Sequence, residues 1–274
     1  MIPDYLKNAR ADLETISRQH CQAVRLNDRA LLCRVLGKYI FHADPDDVGI
    51  TPHLCLDGFW ESWTTIAIAR LIEPGWHCVD VGANHGYFTL IMADAAESEG
   101  RVIAIEPIPK LADLVNLSLE VNGYNRRATV LRRAAAEADS KKVCLVVPRN
   151  RAMDANLYSD ATPSDDVIEV ETITLDRATE GWPRVDLVKI DAEGSEQAIW
   201  RGMRGIIERN RKVTIIMEAR CSRYADARAF VSQIQEAGFP LRYIDYDGSI
   251  KDVTERQFLN ERVEEDWMLF LRRY

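Results

Sequence analysis

The segment CVDVGANHGYFTL, residues 78–90, constrains the fold more than any other stretch. A short apolar run ends in Asp80 and Val81, and glycines follow at 82 and 86. A helical period then begins at once, with Phe88, Ile91, Met92 and Ala95 on one face. A strand that passes through a glycine turn straight into a helix is the opening of a parallel βαβ unit. The alternation continues. RVIAIE (101–106) reads as a strand, and Pro109 opens a helix through Asn122. Residues 128–132, 142–147 and 167–175 read as strands, and 148–166, rich in Pro, Asp, Ser and Asn, as an excursion loop. DLVKID (186–191) is a buried strand followed by one helix carrying Ile199, Trp200, Met203, Ile206 and Ile207. KVTIIME (212–218) is a strand followed by a helix that ends at Gly238. LRYID (241–245) and DWMLFLRR (266–273) close the chain as two strands without an intervening helix, as an antiparallel edge would require. The expected class is α/β, with a doubly wound, mostly parallel, Rossmann-like sheet.

Ahead of this lies a segment of different character. The first forty residues read as helical and polar, with Leu6, Leu13, Ile16, Leu31, Leu32, Val35 and Leu36 as buried positions. Residues 38–56 read as short extended pieces, and FWESWTTIAIARLI as a helix stopped by Glu73-Pro74-Gly75. Residues 1–73 are therefore expected to form a helical and extended cap, and 74–274 the catalytic domain. A formal net charge of −8 argues against a nucleic-acid partner, which wants a basic stripe to neutralise phosphates. The six cysteines show no metal or redox spacing, and no apolar run approaches the roughly 20 residues of a membrane span. A cytoplasmic protein is expected, and homo-oligomerisation is left open.

The glycine turn predicts a ligand site. Gly82 lets the chain turn sharply and leaves room against the backbone. The following helix directs free N–H groups and the positive end of its dipole at the carboxyl edge of the sheet. Glu106 ends the next strand, where a carboxylate can accept both hydroxyls of a ribose. A dinucleotide would prefer G-x-G-x-x-G, but Asp80 stands at the first of those glycines and His85 just before Gly86. A nucleoside-type cofactor fits better. A nucleotide-dependent oxidoreductase and a catalytically silent cofactor-binding protein stay open as alternatives.

DVGANHGYFTL, IEPIP and LVKIDAEGSEQAIWRGM, in this order and at these separations, resemble the FkbM family of methyltransferases, as does the upstream GFWE. The resemblance covers roughly residues 40 to 250. It implies a class I methyltransferase fold and S-adenosyl-L-methionine as methyl donor. It also implies an oxygen acceptor on a natural product, sugar or lipid, so that a small molecule or glycan is the expected partner. By it Gly82, Asn84, Gly86 and Glu106 would line the cofactor. Asp80, Ala83, Pro107 and Asp191 belong to the same lining, and Glu61 and Ala134–Ala135 are its neighbours.

If the strand order follows that class, Asp191, Glu193 and Glu218 face one crevice, with His85 on its rim. An alcohol is a weak nucleophile at neutral pH, so a base must take its proton or a metal must lower its pKa. Asp191, at the end of a central strand, is the expected base, with Glu193, Glu218 and His85 as further candidates. An oxygen-rich set suits magnesium better than zinc, and the need for a metal is left open. Each residue also has a plainer reading. Glu193 could stabilise the following helix, Glu218 bond a loop, Lys189 pair with a carboxylate, and Trp60, Trp63 and Trp76 pack the core or cap.

Overall fold

The computed structural model describes residues 3–157, 162–163 and 165–273, so part of the 148–166 excursion lies outside the described residues. The N-terminal segment departs from expectation. Helix α1 (Arg10–His20) is followed by three strands, β1 (Gln22–Asn27), β2 (Ala30–Val35) and β3 (Tyr39–Ala43), in an antiparallel sheet, where a helical stretch was expected. Two tight turns decide it. The Asn27 carboxamide oxygen accepts the N–H of Arg29 (2.7 Å) and of Ala30 (3.1 Å), closing the first hairpin. Leu36 and Gly37 both take positive φ in the second, the conformation that matches hairpin twist. Helices α2 (Thr51–Leu56) and α3 (Ser62–Leu71) complete the segment.

The main domain follows the expected alternation. Strand β4 (His77–Val81), helix α4 (Tyr87–Ala95), β5 (Arg101–Ile105), α5 (Pro109–Val121) and β6 (Ala128–Leu131) run in sequence. Strands β7 (Ala134–Ala135), β8 (Lys142–Val147) and β9 (Asp166–Ile173) form a small side sheet. Then come α6 (Leu175–Ala178), β10 (Leu187–Ile190), α7 (Glu196–Arg201), α8 (Arg204–Arg209), β11 (Thr214–Ala219) and α9 (Ala227–Glu236). Strands β12 (Arg242–Ile244), β13 (Ile250–Asp252) and β14 (Trp267–Leu271) close the chain, one strand more than expected, with a helical turn at Gln257–Glu261 where none was expected. The expected single helix after β10 is two, because the Asp176 carboxylate accepts the N–H groups of Gly205 (2.8 Å) and Ile206 (2.7 Å) and starts α8 afresh.

The eight-stranded sheet has the order β13-β12-β14-β11-β10-β4-β5-β6. Strands β11, β10, β4, β5 and β6 are parallel, and β14 lies antiparallel between β11 and β12. Strand order reverses between β4 and β10, the switch point where open α/β sheets bind ligands at their carboxyl ends. Among the described residues no helix is long and apolar enough to cross a membrane.

The N-terminal segment shares its core with the sheet. Leu6, Leu13, Phe41 and Leu54 belong to the same buried cluster as Ile91, Met92 and Val115. Polar bonds fix the docking. The Asn122 side chain accepts the Ile40 N–H (3.1 Å) and donates to the Ile40 carbonyl (2.6 Å), and Ser118 Oγ accepts the N–H of His42 (2.9 Å). Removal of residues 1–73 would expose an apolar face that costs about 25 cal/mol per Å² in water. A protein starting at residue 74 is expected to lack a cooperative thermal transition in circular dichroism, whereas the full chain shows one.

Candidate active site

The site begins with how closely two strand ends approach. A side-chain carbon added to Gly82 (φ +70°) would lie 1.8 Å from the carbonyl oxygen of Asp191, which follows β10. The glycine is therefore demanded first by the neighbouring chain, and a substitution there tests folding before it tests any ligand. Gly86 (φ +85°) is explained in the same way, since a Cβ would meet Val115 of α5 at 2.8 Å. Asp80 is wholly buried and accepts a 2.6 Å hydrogen bond from Thr89, so it anchors α4 to β4 from within. Neither Asp80 nor Gly86 borders the cleft.

That cleft, about 1030 Å³ with its open mouth, lies over Gly82, Ala83, Asn84, Glu106 and Pro107. The Glu106 carboxylate accepts the N–H groups of Asn84 (2.8 Å) and Ile108 (2.9 Å), which aims it along the end of β5. Burial pushes its pKa up to about 7 against those two bonds. Ala134, Ala135, Glu61 and Asp191 also line the space. Its roof is formed by Ala152, Met153, Ala155, Asn156 and Leu157. Asn150 accepts the Val48 N–H at 2.8 Å and so ties this stretch to the N-terminal segment.

Charged side chains fill the side of the cleft below β10 and β11. Lys189 is almost wholly buried, donates to Asp191 Oδ2 at 3.2 Å, and lies 4.7 Å from the centre of the Phe88 ring. Burial alone would lower its pKa, but Asp191, Asp80 and Glu61 raise it, so the ammonium stays charged. Asp191, Glu193 and Glu218 offer carboxylate oxygens all within 4.8 Å of one another. Arg223 binds two of them, Glu193 at 2.6 Å and Glu218 at 3.2 Å. Burial and then Asp191 raise the pKa of Glu193 to about 7, and burial, Asp191 and Glu193 raise that of Glu218 to about 11. Glu61 is raised to about 7 by burial and Asp191. Three non-glycine residues with positive φ, Glu61 (35°), Asn84 (52°) and Glu193 (48°), border the cleft. Strain of this kind is held where the surroundings over-determine it.

The N–H groups of the turn before α7 go to Glu196, which accepts from Ala192 (3.2 Å) and Gly194 (3.1 Å), and not to Glu193. His85 is not a rim residue. It is buried, with Nδ1 on the side-chain oxygen of Asn84. Its pKa is lowered by burial, and the carboxylates that oppose this are Asp47 and Asp44, not those of the cluster.

The sequence profile of the methyltransferase FkbM domain matches residues 80–241. The chain belongs to the FkbM methyltransferase family. Protein-L-isoaspartate O-methyltransferase of Methanopyrus kandleri is 41% identical over 59 residues, 22% of this chain and 26% of the relative. That of Aeropyrum pernix is 42% identical over 52 residues, 19% and 20%. The chain thus matches about a quarter or less of the length of these curated relatives. Among solved structures, methyltransferase FkbM from Methylobacillus flagellatus KT aligns at 14% identity and TM-score 0.46. That alignment covers 77% of this chain and 54% of the other. An S-adenosylmethionine-dependent O-methyltransferase from Thermotoga maritima aligns at 15% identity and TM-score 0.42, covering 78% and 65%.

Membership of the FkbM family implies S-adenosylmethionine as the cofactor and sets the oxidoreductase alternative aside. The residues present fit that molecule. Glu61 Oε2 and His85 Nε2 are buried, border the cleft and have no partner within the protein, as expected of groups awaiting a ligand. Glu106 would hold the ribose, and Glu61 and Asp191 would face the cationic end. Sequence reasoning missed the roof residues 152–157. Met153 and Leu157 are apolar side chains in a polar run, the one signal that this loop packs on something.

Raised carboxyl pKa values have a definite consequence for stability. An unfolded glutamate loses its proton near pH 4.5, whereas folded Glu61 and Glu193 keep theirs to about 7 and Glu218 to about 11. Above pH 4.5 the folded state therefore binds more protons, and stability falls as pH rises through those values. The ligand-free FkbM-family protein is expected to have a lower denaturation midpoint at pH 8 than at pH 5. Glu218→Gln should flatten that slope, and a midpoint rising over this range would contradict the assignment.

Proposed function

We propose that this chain transfers the methyl group of S-adenosylmethionine to the hydroxyl of a small molecule, namely a sugar, a glycosylated metabolite or another natural product. The observation that carries the reading is the group Asp191, Glu193, Glu218 and Arg223 at the ends of β10 and β11, beside the glycine turn. When bound, the cofactor would supply an electrophilic methyl carbon on a sulfonium that keeps the C–S electron pair and becomes neutral on transfer. Glu193 would accept the proton of the acceptor hydroxyl. A pKa of about 7 suits that base, since about half of it is ionised at neutral pH and it still takes a proton readily. Asp191, expected from sequence to be the base, borders only the cofactor cleft, beside Lys189, and is assigned to fixing the cationic end of the cofactor. Arg223 holds Glu193 in its strained conformation. Residues 1–73 supply the acceptor side through Trp60 and Glu61. All six cysteines are free thiols, which supports a cytoplasmic setting.

Glu193→Gln is expected to lower kcat by about a hundredfold to ten-thousandfold, the range for loss of a general base. Calorimetric affinity for S-adenosylmethionine should change little. Glu106→Ala should do the opposite, weakening cofactor binding by about 1.5–3 kcal/mol, the scale of hydrogen bonds to a charged group. Near wild-type turnover in Glu193→Gln would return the role to Asp191.

The guanidinium of Arg223 lies between two of the three carboxylates that a magnesium ion would need. Turnover is accordingly expected to survive EDTA unchanged. Loss of activity with chelator, restored by magnesium, would show that Arg223 gives way to a metal.

A further inference from the structure

A second cavity, about 1250 Å³ with its mouth, lies on the far side of the carboxylate group. The two cavities share Trp60, Glu61, Met153, Glu193 and Glu218 as common walls. Glu193 thus faces both, whereas Asp191 borders only the cofactor cleft. The far walls come from the chain's C-terminal part. Trp63 and Tyr246 meet edge to face at 5.0 Å, as do Tyr243 and Trp267. Arg10 of α1 stacks on Trp63 at 5.3 Å and donates to the Tyr246 carbonyl at 2.9 Å, so the N-terminal segment braces this wall. The Tyr246 ring stands at the mouth, 61% exposed.

Among the described lining residues of this cavity are seven carboxyl groups and four guanidiniums, with no lysine. Every one of those arginines is already paired: Arg151 with Asp154, Arg220 with Asp266, Arg223 with Glu193 and Glu218, and Arg262 with Glu265. An anionic ligand would find every one of these arginines already bound to a carboxyl group, which is how a site rejects a class of molecules. Carboxylates already held by arginine keep lone pairs for neighbouring hydroxyls, and the aromatic walls suit the C–H faces of a saturated ring.

We propose that this second cavity is the acceptor chamber and that it takes an uncharged, polyhydroxylated ring while rejecting anionic forms of the same ring. The proposal rests on the methyl-transfer reading above. It presents the acceptor hydroxyl to the cofactor cleft across Glu193, and it makes Trp63 and Tyr246 the residues that hold the ring.

Saturation-transfer NMR on the full chain with bound S-adenosylhomocysteine tests this. The probes are methyl glucoside and methyl glucuronide. The neutral glycoside should take up more saturation than the glucuronide. Tyr246→Ala and Trp63→Ala should each cut the neutral signal by ~2–10-fold, the effect of losing an aromatic contact, with calorimetric affinity for S-adenosylhomocysteine unchanged. Equal or stronger saturation of the glucuronide would overturn the charge selection. Absence of any glycoside signal, or signals that persist in both variants, would overturn the chamber. If S-adenosylhomocysteine itself fails to bind the wild type, the methyl-transfer reading falls, a result separate from loss of probe binding in a cofactor-loaded protein.

Discussion

The close contact between Gly82 and the Asp191 carbonyl is the constraint on which the rest of the site depends. Strands β4 and β10 are parallel neighbours with Val81 opposite Ile190, so both chains leave the sheet at the same level. Only a residue without a side chain lets the two exits pass. Because they pass, the turn that carries Ala83 and Asn84 and the turn that carries Asp191 and Glu193 border a single cleft. Any side chain at position 82 would push the two turns apart and separate the cofactor surface from the carboxylates.

That proximity concentrates negative charge, and the fold answers it with two cations of different kinds. Lys189 is a point charge on a buried strand, held among Asp80, Asp191 and Glu61. Arg223 is a planar fork on the loop after β11, bridging Glu193 and Glu218. A fork can hold two carboxylates in a fixed relation, whereas an ammonium only balances charge. The difference suits their positions. Lysine lies where the field must be set, and arginine lies where a strained glutamate must be oriented. Asp266 adds a further acid on β14's side, held below its usual pKa by Arg220 although burial opposes it.

The N-terminal segment belongs to this design. Its strands dock on α5 through Asn122 and Ser118, and α3 begins at Glu61, whose left-handed backbone turns Trp60 and the carboxylate toward both cavities. The loop at 150–157 closes the opposite side and is tied to Val48. Segments far apart in sequence thus surround one space, which the parallel sheet alone leaves open.

The parallel strands, most of their helices and two of the three antiparallel strands were legible from residues 77 onward, because burial on both faces writes continuous apolar runs and helical periods into the chain, whereas β13 is exposed along its length. The family was legible too, in motifs whose residues are neighbours in sequence. The hairpins of β1 to β3 were not, since their turns depend on one Asn side chain and on Leu36 in a left-handed conformation, and β1 is exposed along its length. Sequence also brought Asp191, Glu193 and Glu218 to one place and put Asp191 first, from its position at a strand end alone. The partners that bear on the proposed reordering come from other elements: Lys189 pairs with Asp191, Arg223 with Glu193, and Glu196 accepts the N–H groups of the turn after Asp191. A residue's type and spacing determine what chemistry it can offer, while its charge state and orientation depend on neighbours brought near only by the folded chain.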